Sequence, residues 1–348
     1  MNTVLSFLHE NRQRFALERY GAHGRLASLV ITPRFQASSH VVFMIWATGT
    51  TTPVLVAKTP RLVDATTNLQ REVANLRLVQ ARRPAGFASV PQVVAFESYH
   101  DYPILVETAL VGQPMDPAFT RRHRERCCQA VTTWLIELQQ PTGDPGKQDA
   151  AWFERLIDYP IDYFSKRFPI DAKETRLLQQ TRVLVEPLRT IDLSLTFEHG
   201  DLSYPNLMLL PNGEPGVIDW ELADPHGLPA CDLFLFLTYA AFATHNAGET
   251  GNYQAAFQSA FFDQAAWTKS YIQRYAEQIN LPEKALTPLF IITWLRYILS
   301  QLVRMDEGNQ QPLAQVTPCA PATAQWLRKN RYYALWEYAV NHAKELAW

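Results

Sequence analysis

The chain has 348 residues, 47% hydrophobic and 19% charged, with 32 Lys and Arg against 34 Asp and Glu and a formal net charge of -2. That length buries a core without disulfide or metal staples and fits two domains or two lobes. The near-neutral balance argues against a partner held by phosphate neutralisation along nucleic acid. No apolar run reads as long enough to cross a bilayer. The opening residues interrupt their apolar positions with His9, Glu10 and Arg12, unlike a signal peptide. Cys127, Cys128, Cys231 and Cys319 give neither a C-x-x-C pair nor the density of a disulfide scaffold. The expectation is a cytoplasmic globular protein with no nucleic-acid or membrane partner and an undetermined oligomeric state.

Behind an opening amphipathic segment, runs rich in Val, Ile, Leu and Phe occupy 26–31, 41–46 and 54–58. Polar or Gly/Thr/Pro stretches such as 47–53 separate them, the pattern of antiparallel strands joined by hairpins. Apolar residues at Leu69, Val73, Leu76 and Val79 then predict a helix over 69–80. Strand-like runs follow at 91–96 and 104–107, and the small-residue stretch 108–114 closes the group. Residues 1–110 thus read as one lobe, a five-stranded sheet plus a helix, and 111–348 as a second. In the second lobe helical periodicity marks 122–139, 152–164, 172–190, 232–243, 262–279, 288–305 and 323–347. Gly/Pro/Asp stretches such as 141–147 and 281–283 punctuate it, and 305–315 reads as a loop. Short extended runs at 195–198, 207–210 and 216–218 are the exception. The fold class is α+β, a small antiparallel-sheet lobe and a larger, mostly helical one.

The polar links between those extended runs carry the chemistry. Phe197-Glu198-His199-Gly200-Asp201-Leu202-Ser203-Tyr204-Pro205-Asn206 sets an Asp and an Asn five positions apart on a loop. Asp219, in Ile218-Asp219-Trp220-Glu221, follows thirteen residues after Asn206. Phosphoryl transfer from ATP needs little covalent chemistry; it needs a carboxylate to orient and deprotonate the acceptor hydroxyl, and oxygen ligands for Mg²⁺. Asp201 can supply the first, Asn206 with Asp219 the second, and a neutral Asn limits the charge of the site. His-Gly-Asp-x4-Asn arises by chance in on the order of one chain in a thousand. The bland reading is a satisfied turn at His199 and Asp201 with Asn206 capping a bend.

His199–Asn206 with Ile218–Glu221 resembles the paired signature of the aminoglycoside phosphotransferase/choline kinase family, small-molecule kinases with a protein-kinase-like bilobal fold. The resemblance extends over most of the chain. It implies that Asp201 is the catalytic base, that Asn206 and Asp219 bind Mg²⁺, and that His199 supports the catalytic loop. It also implies that Asp232 orders that loop, although Asp232 reads equally as the N-cap of the next helix. In the first lobe, Val54-Leu55-Val56-Ala57-Lys58 ends a strand in a lysine suited to the α/β-phosphates, with Glu72 on the helix to orient it. Read alone, both are ordinary solvated charges. Residues 104–114 resemble the family's hinge, where backbone groups around Glu107, Thr108 and Ala109 would read the adenine edge and side chains would not.

The loop between the first two strands departs from the pattern, since 32–40 contains no glycine to let backbone N–H groups approach phosphates. Ser38 and Ser39 are the candidates to replace them, with Arg34 nearby, and a plain hairpin loop is the alternative. The segment from Asp219 to Asp232 is short and free of Ser, Thr and Tyr, which disfavours a regulated protein kinase. Glu221 and Asp224 are candidates to face a cationic acceptor, or simply to solvate a loop. Aromatics of the C-terminal helices, among them Tyr297 and Tyr332, suit either a cationic ligand or a core. The reading is an ATP-dependent small-molecule kinase acting on a hydroxyl of an amino sugar, amino alcohol or related metabolite, with GTP open as donor. A catalytically silent binding protein of the same fold is the alternative.

Overall fold

The computed structural model describes residues 2–32, 40–61, 66–83, 85–140, 151–305, 313–346 and 348. The loop carrying Arg34, Ser38 and Ser39 and the expected loop 141–147 lie outside them. In chain order come α1 (Thr3–Glu10), β1 (Leu26–Ile31), β2 (His40–Ala47), β3 (Leu55–Pro60), α2 (Thr66–Ala81), β4 (Val93–Tyr99), β5 (Tyr102–Thr108) and β6 (Gln113–Pro114). Helices α3 (Pro117–Arg122), α4 (Arg124–Gln139), α5 (Tyr159–Arg167) and α6 (Ala172–Val185) lead to β7 (Thr196–Glu198). Strands β8 (Leu207–Leu209), β9 (Pro215–Val217) and β10 (Asp224–Gly227) precede the last helices. These are α7 (Cys231–Thr244), α8 (Ala247–Thr250), α9 (Tyr253–Phe261), α10 (Lys269–Gln278), α11 (Leu286–Met305), α12 (Pro321–Arg328) and α13 (Arg331–Asn341).

The chain divides into two compact units, Met1–Pro114 with Asn206–Ala223, and Met115–Pro205 with Asp224–Trp348. The segment Asn206–Ala223, grouped with the helical lobe on sequence order alone, therefore folds with the sheet. The five-stranded sheet has the order β1-β2-β3-β5-β4, and every neighbouring pair is antiparallel. Alternation along each strand decides what its two faces bury. Leu55 and Ala57 of β3 and Ile104 and Val106 of β5 join Val4, Phe7 and Leu8 of α1 in one core. Leu105 turns the other way and packs with Leu69 and Val73 of α2. Lys58 pairs with Leu105 and Val56 with Glu107, so Lys58 and Glu107 share the α2 face. β3 runs on to Pro60, so Lys58 is an interior strand residue rather than the strand's last. In the same unit β6, β8 and β9 form a small antiparallel sheet. A Cβ on Gly112 would lie 2.6 Å from the Leu209 carbonyl oxygen, so the connector must be glycine there.

The helical unit packs around α11, whose Phe290 and Trp294 contact Phe257 of α9 in an aromatic cluster. By length and composition, Glu283–Leu302 would cross a bilayer, contrary to the sequence expectation. With 78% of that window buried, it is the core helix of the unit. Predicted helices break where capping chemistry intervenes. The run 323–347 stops at α12 and restarts at α13, where the Asn330 side chain accepts from the Tyr332 N–H. The run 172–190 leaves α-geometry after Val185, as Pro187 enters a 3₁₀ turn. The predicted 262–279 helix begins only at Lys269, while α9 and the pairing of β10 with β7 carried no periodicity long enough to predict.

Candidate active site

Strand parity in the sheet-bearing unit sets Lys58 against two acids. Its ammonium donates to Glu72 Oε1 and lies 3.2 Å from Glu107 Oε1. All three residues are buried, Lys58 at 8% exposure and Glu72 at 0%. Burial works against the charged lysine, but Glu107 and Glu72 outweigh it and hold Lys58 charged above the ordinary lysine range. Burial drives both carboxyls upward, Lys58 opposing it in each case. The outer oxygens of Glu72 and Glu107 have no hydrogen-bond partner among the described residues. An ammonium has three donors, so with two acids bound one remains for another oxygen. The Glu107 side chain, expected to be idle, is thus a member of the cluster. Its neighbours differ from expectation as well. The Thr108 N–H donates to Gln92 O at 3.0 Å and the Ala109 N–H to Val54 O at 3.2 Å, so neither is free to read a base.

Asn206 and Asp219 stand thirteen residues apart in sequence, yet one hairpin unites them. β8 and β9 pair Leu207 with Val217, and the Ile218 N–H donates to the Asn206 carbonyl at 3.1 Å. Asp219 follows with φ +67°, a left-handed conformation that Asp accepts more readily than most residues. Helix α2 fastens the segment behind it. Asn75 donates to the Trp220 and Ala223 carbonyls, both at 2.9 Å, and the Trp220 N–H reaches Glu72 Oε1 at 3.4 Å. Glu72 and Asn75, one helical turn apart, therefore join Lys58 to the strand end at Asp219. Glu221 lies with its Oε2 3.5 Å from His40 Nδ1. Burial first, then the charge of Lys58, depresses His40 to about 4, so the imidazole is neutral at pH 7 and the contact is not an ion pair.

The helical unit contains the loop with His199 and Asp201. Asp232 accepts from the His199 N–H at 2.7 Å and from the Gly200 N–H at 2.9 Å. It sits in the first turn of α7, whose N-cap is Ala230, so it ties down the loop and does not cap the helix. Burial and the nearby Glu198 push Asp232 up to about 7 against these two backbone bonds. His199 is fully buried, and its Nδ1 accepts from the Asp201 N–H at 3.3 Å. Glu198 pairs with Arg296 at 2.8 Å and accepts from the Leu228 N–H at 3.0 Å. A Cβ on Gly227 would lie 2.4 Å from Glu198 Cβ, so glycine is required where β10 passes β7. Gln139 donates to Phe197 O at 2.9 Å and accepts from Tyr275, whose hydroxyl in turn accepts from the Ala230 N–H at 2.9 Å. Asp201 itself accepts from the Tyr297 hydroxyl at 3.2 Å.

Asp224 is engaged elsewhere, at 2.5 Å from Arg155. It belongs to the helical unit and Glu221 to the other. Sequence reasoning assigned no role to Glu198, Arg296, Gln139 or Asn75, and weighed Tyr275 and Tyr297 only as aromatics for a cationic ligand or a core. One signal was available: Glu198 ends a short apolar strand, and a buried acid needs a cation or amides.

A sequence model described as the phosphotransferase enzyme family matches residues 35–271. Solved structures share the fold. An ethanolamine kinase from Plasmodium vivax superposes with a TM-score of 0.57 at 13% identity, over 90% of this chain and 84% of that one. The choline kinase LicA from Streptococcus pneumoniae gives 0.52 at 13% identity, over 92% and 98%. An amicoumacin kinase, solved with AMP-PNP and Ca²⁺, gives 0.52 at 14% identity, over 95% and 96%. No sequence among the curated proteins matches the chain.

Proposed function

Since the chain belongs to the phosphotransferase enzyme family, whose members phosphorylate hydroxyls of small molecules, we propose that it transfers the γ-phosphate of ATP to such an acceptor with Asp201 as base. The observation that supports this most is the Lys58 cluster. A buried lysine is held charged in the unit that also carries Asn206 and Asp219, with one ammonium donor left over. That is a grip for phosphate oxygens.

Mg²⁺ fits the donor set. Asn206 and Asp219 offer hard oxygens, and Mg²⁺ commonly takes one or two carboxylates with phosphates and water completing its octahedron. No cluster of three or more His, Cys, Asp or Glu side chains suited to a metal occurs among the described residues, so phosphate oxygens would complete the shell. The ion would neutralise charge on the transferring phosphoryl group. The chain's own residues do the rest. Lys58 binds phosphate oxygens, and Glu72 and Glu107 keep it protonated and aimed. Asn75 and Glu72 hold the backbone around Asp219. Asp232 and His199 hold the loop backbone on both sides of Gly200, and Asp201 takes the acceptor's proton. Base reading falls beyond Ala109, at Leu110 and Val111, whose N–H groups donate to nothing among the described residues.

The acceptor is a small molecule with a hydroxyl group, in the class of ethanolamine, choline or an amino sugar. Glu221 and Asp224 are the candidates to face a cationic group of that acceptor, Glu221 lying 3.5 Å from His40 and Asp224 2.5 Å from Arg155. The test is a panel of such hydroxyl compounds with purified protein, Mg²⁺ and radiolabelled ATP. Transfer to one class, abolished in Asp201→Asn, is the expected result. No transfer to any compound, with no thermal shift from Mg·ATP, rules the reading out.

A further inference from the structure

Three helices of the helical unit each contribute one tyrosine hydroxyl to a hydrogen-bonded chain that ends on Asp201. Tyr297 of α11 donates to Asp201 Oδ1 at 3.2 Å, and its oxygen lies 3.1 Å from the Tyr239 hydroxyl of α7. Tyr239 is in turn hydrogen-bonded to Tyr332 of α13. Tyr297 and Tyr332 are buried, at 7% and 4% exposure. The rings are packed as well as bonded: Tyr297 meets Tyr332 edge-on at 4.7 Å, and Tyr204 of the catalytic loop meets Tyr239 edge-on at 5.2 Å.

Each phenol has one proton, and that fixes the direction of the chain. A carboxylate cannot donate, so Tyr297 spends its proton on Asp201. Tyr297 must then accept from Tyr239, and Tyr239, its own proton spent, must accept from Tyr332. We infer that Tyr332, Tyr239 and Tyr297 form a one-way hydrogen-bond relay that positions the Asp201 carboxylate. The inference deepens the proposed function and rests on Asp201 being the base. The three are positioning residues and act through Tyr297.

Two physical effects give the chain its value. Hydrogen bonds in series polarise one another, so the last donor, on the carboxylate, is stronger than an isolated phenol. Because the donors are neutral, the relay adds no cation of its own to the carboxylate. Burial, and then the negative charge of Asp201, keep Tyr297 and Tyr239 protonated, raising both above the ordinary phenol range. Tyr332 is raised chiefly by burial. Other contacts fix the Asp201 backbone: its N–H donates to His199 Nδ1 at 3.3 Å and its carbonyl accepts from the Ser203 N–H at 2.8 Å. The tyrosine chain acts on its side-chain oxygen Oδ1.

Protein labelled with ¹³Cζ-tyrosine tests the chain without needing an acceptor. Tyr297→Phe keeps ring packing and the Asp201 charge and removes one hydroxyl. The expected result is a shift of the Tyr239 and Tyr332 ζ-carbon signals with faster hydroxyl exchange at both, while Tyr99 and Tyr102 of the other unit stay fixed. Unmoved Tyr239 and Tyr332 signals overturn the relay. Tyr239→Phe, which cuts the chain one link further out, provides the same reading should the first variant not fold. Kinetics then test positioning. With Mg·ATP and the acceptor found in the panel, Tyr297→Phe lowers kcat about ten- to a hundredfold and leaves KM for ATP unchanged. An unchanged kcat overturns the positioning role even where the ζ-carbons shift. Wild-type protein that phosphorylates nothing defeats the proposed function, and the positioning role with it, while the spectra still decide whether the relay exists.

Discussion

Lys58 sits between two buried carboxylates, whereas Asp201 rests on a phenol hydroxyl, with its loop pinned by backbone amides. The first arrangement concentrates charge: one ammonium against Glu72 and Glu107, with Asp219 contributing to the same field. The second sets paired or amide-bound charges a step back, Glu198 on Arg296 and Asp232 on the His199 and Gly200 N–H groups, and turns a neutral donor toward the base. The two designs suit different tasks. Gripping a polyanion calls for charge that stays charged when buried. Holding a base calls for orientation, which a neutral donor supplies while stabilising the carboxylate form less than a cation would.

The largest effect expected on the charged side is from Asp219→Ala. Losing a carboxylate metal ligand should weaken Mg-dependent nucleotide binding and reduce phosphotransfer about a thousandfold or more, read by nucleotide titration with and without Mg²⁺. On the other side, Arg296→Met leaves Glu198 buried without its cation and should cost about 3–5 kcal/mol of unfolding free energy. The pair Glu198→Gln/Arg296→Met should recover most of that in denaturant titration. Failure to recover would mean that Glu198 is needed for its charge and not for its fit.

Acid separates the two regions further. His40 is depressed to about 4 while an unfolded chain titrates near 6.5, so the folded state refuses a proton that the unfolded state takes. Its stabilisation is whole above pH 6.5 and is lost as pH falls toward 4. The loss is about 2–3 kcal/mol, and His40→Asn should remove it from a pH series of melting curves. The smallest effect belongs to Glu107→Gln, which keeps a hydrogen-bond partner for Lys58 but not the charge that holds its proton. KM for ATP should rise about tenfold at most. A fall in KM would show that Glu107 competes with the phosphates for Lys58.

How much of this could be read from the sequence follows the same division. Asn206 and Asp219 belong to a telling motif that lent weight to Lys58 and Glu72, and the five strands announced themselves by short β-branched runs. Glu107 was legible in principle, since Leu105 and Glu107 share parity and Lys58 pairs with Leu105. Only the register supplies that link. Tyr297 and Tyr332 could not be told from core aromatics, because helical periodicity says that a residue faces inward and not what it meets there. Gln139, Tyr275 and Arg296 are brought to the catalytic loop and the residues behind it by helix packing, from positions 45 to 98 residues away from their partners in sequence. The Asp219–Asp232 stretch was legible as a short segment free of Ser, Thr and Tyr. It passes from one unit to the other after Ala223.

The measurement that bears most directly on the central claim is a comparison of Mg·ATP binding and phosphotransfer in Asp201→Asn and wild-type protein. The account expects calorimetric affinity for Mg·ATP within about twofold of wild type and turnover reduced by about 10²–10⁴. Equal loss of binding and turnover, or turnover that survives, would contradict the assignment of Asp201 as the base.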